Sequence, residues 1–292
     1  MKLLRINIIK SGYDRAVLDG FDEFFEPFAE DNQKANPICL VGKNGTGKSQ
    51  LLEVLARIFF YLDKKYRSFE ANPKLTSKIE FELEYFIRDG QIDRRIKIVN
   101  KQFGKKVETK VYEVAEETEI EIKYKDIEAV LPNHIIGYSS GENETLSLPF
   151  LDTNYEYGDY VKSLGLNPSS VNYDYVPTTR LIFPDYSSNF AVLISNYLLK
   201  DKLELNIFKE DELIQLEKLY SFRIVIQQKH KAAPGKNGVQ PTPELVNAIE
   251  KLKLCATCYE TDDKTRSYTL DYFVNDGTRA AFKYHFKMPI KS

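Results

Sequence analysis

The stretch from Asn36 to Gln50, Asn-Pro-Ile-Cys-Leu-Val-Gly-Lys-Asn-Gly-Thr-Gly-Lys-Ser-Gln, constrains this chain more than any other part of it. Gly42 to Ser49 fits G-x-x-x-x-G-K-[ST], a loop whose backbone N–H groups can wrap a phosphate. Its flanks suit that role. Ile38, Cys39, Leu40 and Val41 read as a short buried parallel strand. Leu51, Leu52, Leu55, Ile58, Phe59 and Leu62 recur at helical spacing and predict a helix from the loop to about Lys65. Gly42, Gly45 and Gly47 let the backbone aim its N–H groups inward with no Cβ in the way, and the positive end of the helix dipole faces the same point. Lys48 is expected to reach the β- and γ-phosphates and the Ser49 hydroxyl to take one position on Mg²⁺. Lys43, Asn44, Thr46 and Gln50 complete the expected contact set. At ordinary residue frequencies the bare pattern arises in about one chain of this length in a hundred. With both flanks present, it reads as a site for ATP and Mg²⁺.

The 292 residues suffice for one large or two modest domains, and 42% hydrophobic with 29% charged residues is ordinary for a folded chain. No apolar run reaches the roughly 20 residues of a membrane span, and Met1-Lys-Leu-Leu-Arg5 lacks the shape of a signal peptide. Cys39, Cys255 and Cys258 make no disulfide framework, and the lone C-x-x-C has no histidine at ligand spacing. A reducing cytoplasm is the expected location. The net charge of −2 excludes a uniformly basic nucleic-acid binder but leaves room for a local basic patch.

In order, residues 2–9 read as an opening strand, and Phe21, Phe24, Phe25 and Phe28 as core. Tyr13 and Arg15 are candidates to stack on a base. From about 78 to 126, alternation predicts an antiparallel meander with one solvated face. It is carried by Ile79, Phe81, Leu83 and Tyr85, then by Ile96 and Ile98 beyond an Asp89-Gly90 turn, then by Val111 and Val114, then by Ile120 and Ile122. His134–Tyr138 predicts an apolar strand, and the polar loop Ser139–Glu144 at its end is where α/β folds place ligand contacts. A long, tyrosine-rich connection follows to about residue 185. Phe190, Val192, Leu193, Ile194, Tyr197 and Leu198 predict a helix apolar nearly all round and therefore buried. Leu213, Leu216 and Tyr220 mark an amphipathic helix, and Phe222–Ile226 a strand. Lys229, His230, Lys231 and Lys236 lie in a basic loop that reads as solvated. A helix is predicted from Thr242 through Leu252, then a hairpin joining Tyr268–Val274 to Ala281–Phe286 across Asn275-Asp-Gly277. The expected division is a nucleotide-binding lobe over 1–150 and a mixed α+β lobe over 151–292.

Hydrolysis needs a second strand, apolar and ending in aspartate, to hold Mg²⁺ through water. Leu181-Ile-Phe-Pro-Asp185 comes nearest, but Pro184 sits where a central strand must donate a hydrogen bond. Phe86-Ile-Arg-Asp89 closes a meander strand. The binding half of the chemistry is written and the hydrolytic half is not.

The order of parts resembles the first half of ABC-type P-loop ATPases, above all the RecF and structural-maintenance-of-chromosomes branch. Asn44-Gly45 inside the loop is typical of that branch. The phrases Met1-Lys-Leu-Leu-Arg-Ile6 and Ile136-Gly-Tyr-Ser-Ser-Gly-Glu-Asn-Glu144 are similar to restriction-system-associated AAA-family ATPases of bacterial anti-phage loci. The resemblance implies an α/β P-loop NTPase fold with an antiparallel meander and a helical or irregular insertion. It further implies ATP-driven head-to-tail homodimerisation, a nuclease or restriction-system partner, and possible contact with DNA. Where the family carries a glutamine that senses Mg²⁺ and the γ-phosphate, this chain offers Asn143 or Glu144. The family's signature loop, acidic strand and switch histidine come later than this sequence reaches, which implies an incomplete catalytic unit. A non-hydrolysing nucleotide-binding regulatory protein is the alternative. A small-molecule kinase ranks lower, because a meander seldom follows the loop helix directly in such enzymes.

Overall fold

Between Ile79 and Tyr85 apolar and acidic residues alternate, and the chain forms a strand with two different faces. Phe81, Leu83 and Tyr85 are fully buried on one side, while Glu80, Glu82 and Glu84 line the other. This strand belongs to a computed structural model that describes residues 1–12, 17–25, 37–67, 72, 74, 76–90, 92–116, 118–139, 146–151, 158–159, 163, 180–184, 186–199, 218–228 and 241–286. The chain divides into two units, Met1–Asn154 with Pro177–Phe183, and Tyr155–Val176 with Pro184–Ser292.

The first unit is built on a six-stranded sheet. Its strands are β1 (Lys2–Lys10), β2 (Phe21–Phe24), β3 (Glu80–Asp89), β4 (Ile92–Phe103), β5 (Lys106–Ala115) and β6 (Thr118–Glu121). They lie in the order β2-β1-β3-β4-β5-β6, every neighbouring pair antiparallel. The predicted meander is therefore present as β3 to β6, and β1 joins it at β3. Ile6, Ile8, Phe81, Leu83, Tyr85, Ile96, Ile98 and Val111 make one apolar face. Helix α1 (Lys48–Tyr66) covers that face with Leu51, Val54, Ile58 and Leu62.

The opposite face differs from the freely solvated surface that alternation predicts. Arg5 meets Asp22 at 2.6 Å, Arg95 meets Glu84 at 2.6 Å, Lys10 meets Glu80 at 2.7 Å and Lys101 meets Glu82 at 2.8 Å. The long basic side chains lie across the strands and cover their partners, so Glu84 is only 5% exposed. A carboxylate that dry must be paired. Hydrogen bonds from Arg5, Lys10 and Arg94 hold Asp22, Glu80 and Glu113 below the usual carboxylate range.

A second layer lies on the other side of α1. Strands β7 (Ile135–Ile136) and β8 (Leu181–Ile182) pair in parallel, and Leu181, Leu146 and Phe150 pack with Ala56 and Phe60 of the helix. A 3₁₀ segment, Tyr124–Val130, leads into β7. Arg67, just past the end of α1, donates to the carbonyls of Glu128, Leu131 and Pro132 at 2.6–2.7 Å. That closes the helix end onto the following chain and satisfies carbonyls that burial would otherwise leave unpaired.

The second unit holds a three-stranded antiparallel sheet, β10-β11-β9, of β9 (Ser221–Gln227), β10 (Cys258–Asp262) and β11 (Ser267–Phe273). Helices α2 (Tyr186–Leu199), α3 (Pro243–Cys255) and α4 (Asp276–Phe286) accompany it. Leu198, Leu270, Tyr272, Val274 and Phe282 form its core, where Phe222 stacks on Tyr272 with ring centres 4.4 Å apart.

Several expectations are corrected. Asn275-Asp-Gly277 is no hairpin turn. The Asn275 side chain accepts from the Thr278 N–H at 2.9 Å and caps α4, so Ala281–Phe286 is helical. The apolar helix α2 is not buried throughout: Phe190 is 69% exposed, and Val192 and Leu199 are exposed beside it. Phe24 is 60% exposed on an edge strand, while Phe21 and Phe25 pack partly against the core. Ile120 faces solvent on β6, the edge strand of the sheet. Phe28 and the predicted helix at Leu213 and Leu216 lie outside the described residues.

Two outcomes test this packing. A Cβ on Gly137, at the end of β7, would stand 2.6 Å from Phe150 and 2.9 Å from Phe183. Gly137→Ala is expected to lower stability by about 1–3 kcal/mol in urea unfolding, an overpacking cost. The paired carboxylates stabilise the fold above the ordinary carboxylate range, and that contribution disappears as pH falls through their depressed folded values. Glu80→Gln should therefore show a smaller drop in urea midpoint between neutral and acid pH than the parent chain.

Candidate functional site

Gly42–Ser49 lies at the start of α1, as the motif predicts. Gly45 and Gly47 take left-handed backbone conformations, with φ of 87° and 91°, which favour glycine over residues with a Cβ. Gly47 is the N-cap of α1 and its carbonyl accepts from the Leu51 N–H at 2.8 Å. No side chain caps this helix, and its first turn carries no acidic residue. The opening N–H groups of α1 are thus left available to an acceptor from outside the helix. Val17 and Leu18 come within 3.3 Å of the place where a Cβ on Gly47 would stand, so the loop is seated on the chain that follows β1.

Within the loop, Thr46 donates its hydroxyl to the Lys43 carbonyl at 2.9 Å. Lys48 folds its ammonium back over the loop onto the carbonyls of Gly42 at 2.7 Å and Lys43 at 2.8 Å. Carbonyls satisfy the hydrogen bonds of an ammonium without cancelling its charge. A phosphate entering the loop can therefore take over those bonds and gain the full ionic attraction. Asn44 and Ser49 are exposed, and Gln50 lies half-buried beside Gly47.

The expected strand before the loop is not formed. Ile38 is exposed, Val41 is 91% exposed, and only Leu40 packs against the core. A buried parallel strand requires hydrogen-bonding neighbours. Among the described residues β7 and β8 pair with each other, the six-stranded sheet is antiparallel, and no strand pairs with 38–41.

The parallel pair nevertheless has a defined direction with respect to the loop. Arg180, just before β8, reaches Asp63 at 3.6 Å and Glu128 at 3.4 Å near the C-terminal end of α1. Further along, Phe183 packs in the cluster with Ala56 and Phe60. β7 and β8 thus run antiparallel to α1, and their C-terminal ends point toward the glycine-loop end of the helix. Loops at such ends are where α/β sheets hold ligands. Ser139 is half-buried after β7. Asn143, Glu144 and Asp185 lie outside the described residues, as do Tyr13, Arg15 and Lys229–Lys236. Pro184 follows the paired part of β8, so it removes no ladder bond. Asp89 sits at the opposite end of the sheet from the loop, since β3 ends beside the start of β1.

The anchor of Arg67, Asp63 and Arg180 has no sequence signal. Arg180 and Arg67 are 113 positions apart. Burial pushes the Asp63 carboxyl up, and the Arg180 and Arg67 guanidiniums oppose that shift. Cys39 and Cys258 are exposed and Cys255 is buried. Among the described residues no group of three His, Cys, Asp or Glu could hold a metal ion, and no helix is long and apolar enough to cross a membrane.

Loop geometry makes a differential prediction. Gly47→Ala combines the left-handed backbone with close contacts to Leu18 and Val17, and is expected to cost about 1–2 kcal/mol or more in urea unfolding. Gly42→Ala meets the Thr46 hydroxyl at 2.9 Å, which can rotate away, and should cost less. Compared with known proteins, the chain matches no family model, no curated protein and no solved structure.

Proposed function

We propose that Gly42–Ser49 binds ATP with Mg²⁺, and that the chain is the nucleotide-binding module of an ABC-like P-loop ATPase serving a bacterial restriction, anti-phage or DNA-processing system. The observation that carries the nucleotide reading is the Lys48 ammonium, held by two carbonyls of its own loop at an uncapped helix N-terminus. Cation, glycine backbone and the opening N–H groups of α1 lie together there, the combination that a polyphosphate requires. In this reading Ser49 takes one Mg²⁺ position, and ATP brings two copies together head-to-tail. The wider biological role rests on resemblance alone, carried by the order of parts, Asn44-Gly45 and the Met1–Ile6 and Ile136–Glu144 phrases.

The second reading, a nucleotide-binding regulator that does not hydrolyse, is favoured by one observation. Of the two acidic strand ends considered for Mg²⁺, Asp89 is at the far end of the sheet from the loop. Asp89 is therefore out of reach of a metal ion held at the loop, and Asp185 lies outside the described residues.

Calorimetric titration tests the shared part of both readings. Lys48→Ala should weaken ATP–Mg²⁺ binding by about 1.5–3 kcal/mol, roughly ten- to a hundredfold. Equal affinity of parent and variant would remove the nucleotide assignment. Turnover at about 1 s⁻¹ or faster supports the ATPase reading, and binding with far slower turnover supports the regulator.

A further inference from the structure

On much of the outer face of the six-stranded sheet, cations meet carboxylates, as in Arg95–Glu84, Lys97–Glu119 and Lys101–Glu82. At the β4–β5 hairpin this pairing stops. Among the described residues, Lys105 and Lys106 at the turn, Lys110 further along β5, and Lys78 just ahead of β3 have no carboxylate within ion-pair distance. The Asn100 side chain donates to the Ile79 carbonyl at 2.6 Å, which puts Lys78 at the same end of the sheet as the turn. Two acidic residues lie at this end: Glu108 opposite Lys101, and Glu80, which accepts from the Gln102 N–H at 3.2 Å and is paired with Lys10. In a chain of net charge −2, positive charge is concentrated here.

The display is stiff. Phe103 and Lys106 pair across a two-residue turn in which Gly104 has φ of 64°, the arrangement that matches strand twist. The Gln102 side chain donates to the Gly104 carbonyl at 3.0 Å. Lys110 and Lys101 stand over the Phe103 ring at 4.9 and 5.9 Å from its centre. The aromatic ring therefore holds ammonium groups in place and is not a free platform.

We propose that the β4–β5 hairpin tip is a contact for the phosphate backbone of duplex DNA, made by Lys105, Lys106 and Lys110 with Lys78 beside them. Charge complementarity selects a polyanion. The exposed tip residues Gln102, Gly104, Lys105, Lys106 and Glu108 include no apolar anchor of the kind that centres a protein interface or enters a lipid surface. With its aromatic ring already covered by two ammonium groups, the tip offers no surface for unpaired bases to stack on, which favours a duplex over a single strand. Lysines on phosphates position a duplex without reading its sequence. The inference is independent of the glycine loop, and its test contains no nucleoside triphosphate.

Fluorescence anisotropy of a labelled 30-base-pair duplex, titrated with the whole 292-residue chain, measures it. Three to four phosphate contacts predict that log K falls with log salt at a slope of about −3. Lys105→Glu with Lys106→Glu should weaken binding at least about tenfold and flatten that slope by about 2. Lys123→Glu with Lys125→Glu, an equal charge change at exposed positions elsewhere in the first unit, should change affinity less than about threefold. If the reversed pair fails to give the parent circular dichroism spectrum, Lys105→Gln with Lys106→Gln decides by the same flattening. A second duplex of unrelated sequence should bind equally. The proposal is overturned by any of three results: no duplex binding by the parent chain, equal losses in both double variants, or tighter binding to single-stranded DNA, polyglutamate or phosphatidylserine vesicles than to the duplex.

Discussion

A helix that is apolar on two sides has to be covered twice, and the first unit is organised around that requirement. Leu51, Val54, Ile58 and Leu62 of α1 face the antiparallel sheet, while Ala56 and Phe60 face the parallel pair β7–β8. Fully burying each large apolar side chain stabilises the fold by about 1.5–3 kcal/mol, so both coverings matter in a molecule whose net stability is small. Arg67 and Arg180 then lock the helix end to the 3₁₀ segment and to β8. The glycine loop at the other end of α1 inherits this rigidity, because it is the start of the same helix.

Burial also explains the behaviour of the charges. The acidic residues of β3 are held by Arg5, Lys10, Arg95 and Lys101 reaching across strands. Such pairs contribute modestly one by one, and they matter here because unpaired carboxylates could not sit at that depth. Where the pairing ends, at the β4–β5 turn, the lysines are left facing solvent. A charged face and a charged patch are thus two outcomes of one composition, separated by whether partners lie across the strand.

The loop itself combines the features that the proposed anion site requires. Left-handed glycines turn N–H groups to one side, the helix start leaves donors unused, and Lys48 rests on carbonyls that a phosphate can replace. β7 and β8 end on the same side of α1, which directs Ser139 toward the loop end. The run Ile38–Val41, exposed except at Leu40, pairs with no strand among the described residues.

What the sequence determined by itself was local. Period-two alternation specified β3, β4 and β5 and their inward faces, since a strand's faces follow from neighbouring residues alone. The glycine spacing and the 3.6-residue recurrence specified the loop and α1, and Thr242-Pro243 the start of α3. Tertiary structure decided the rest, because parallel pairing and burial depend on segments far apart in the chain. It alone determined that Ile135 would pair with Leu181, that Arg180 would reach Asp63, and that Ile38–Val41 would pair with no strand among the described residues. Local signals were also misread where two structures compete for the same residues. Asn275-Asp-Gly277 suits a tight turn and a helix cap equally well, and the packing of Phe282 against Phe222 and Tyr272 selects the helix.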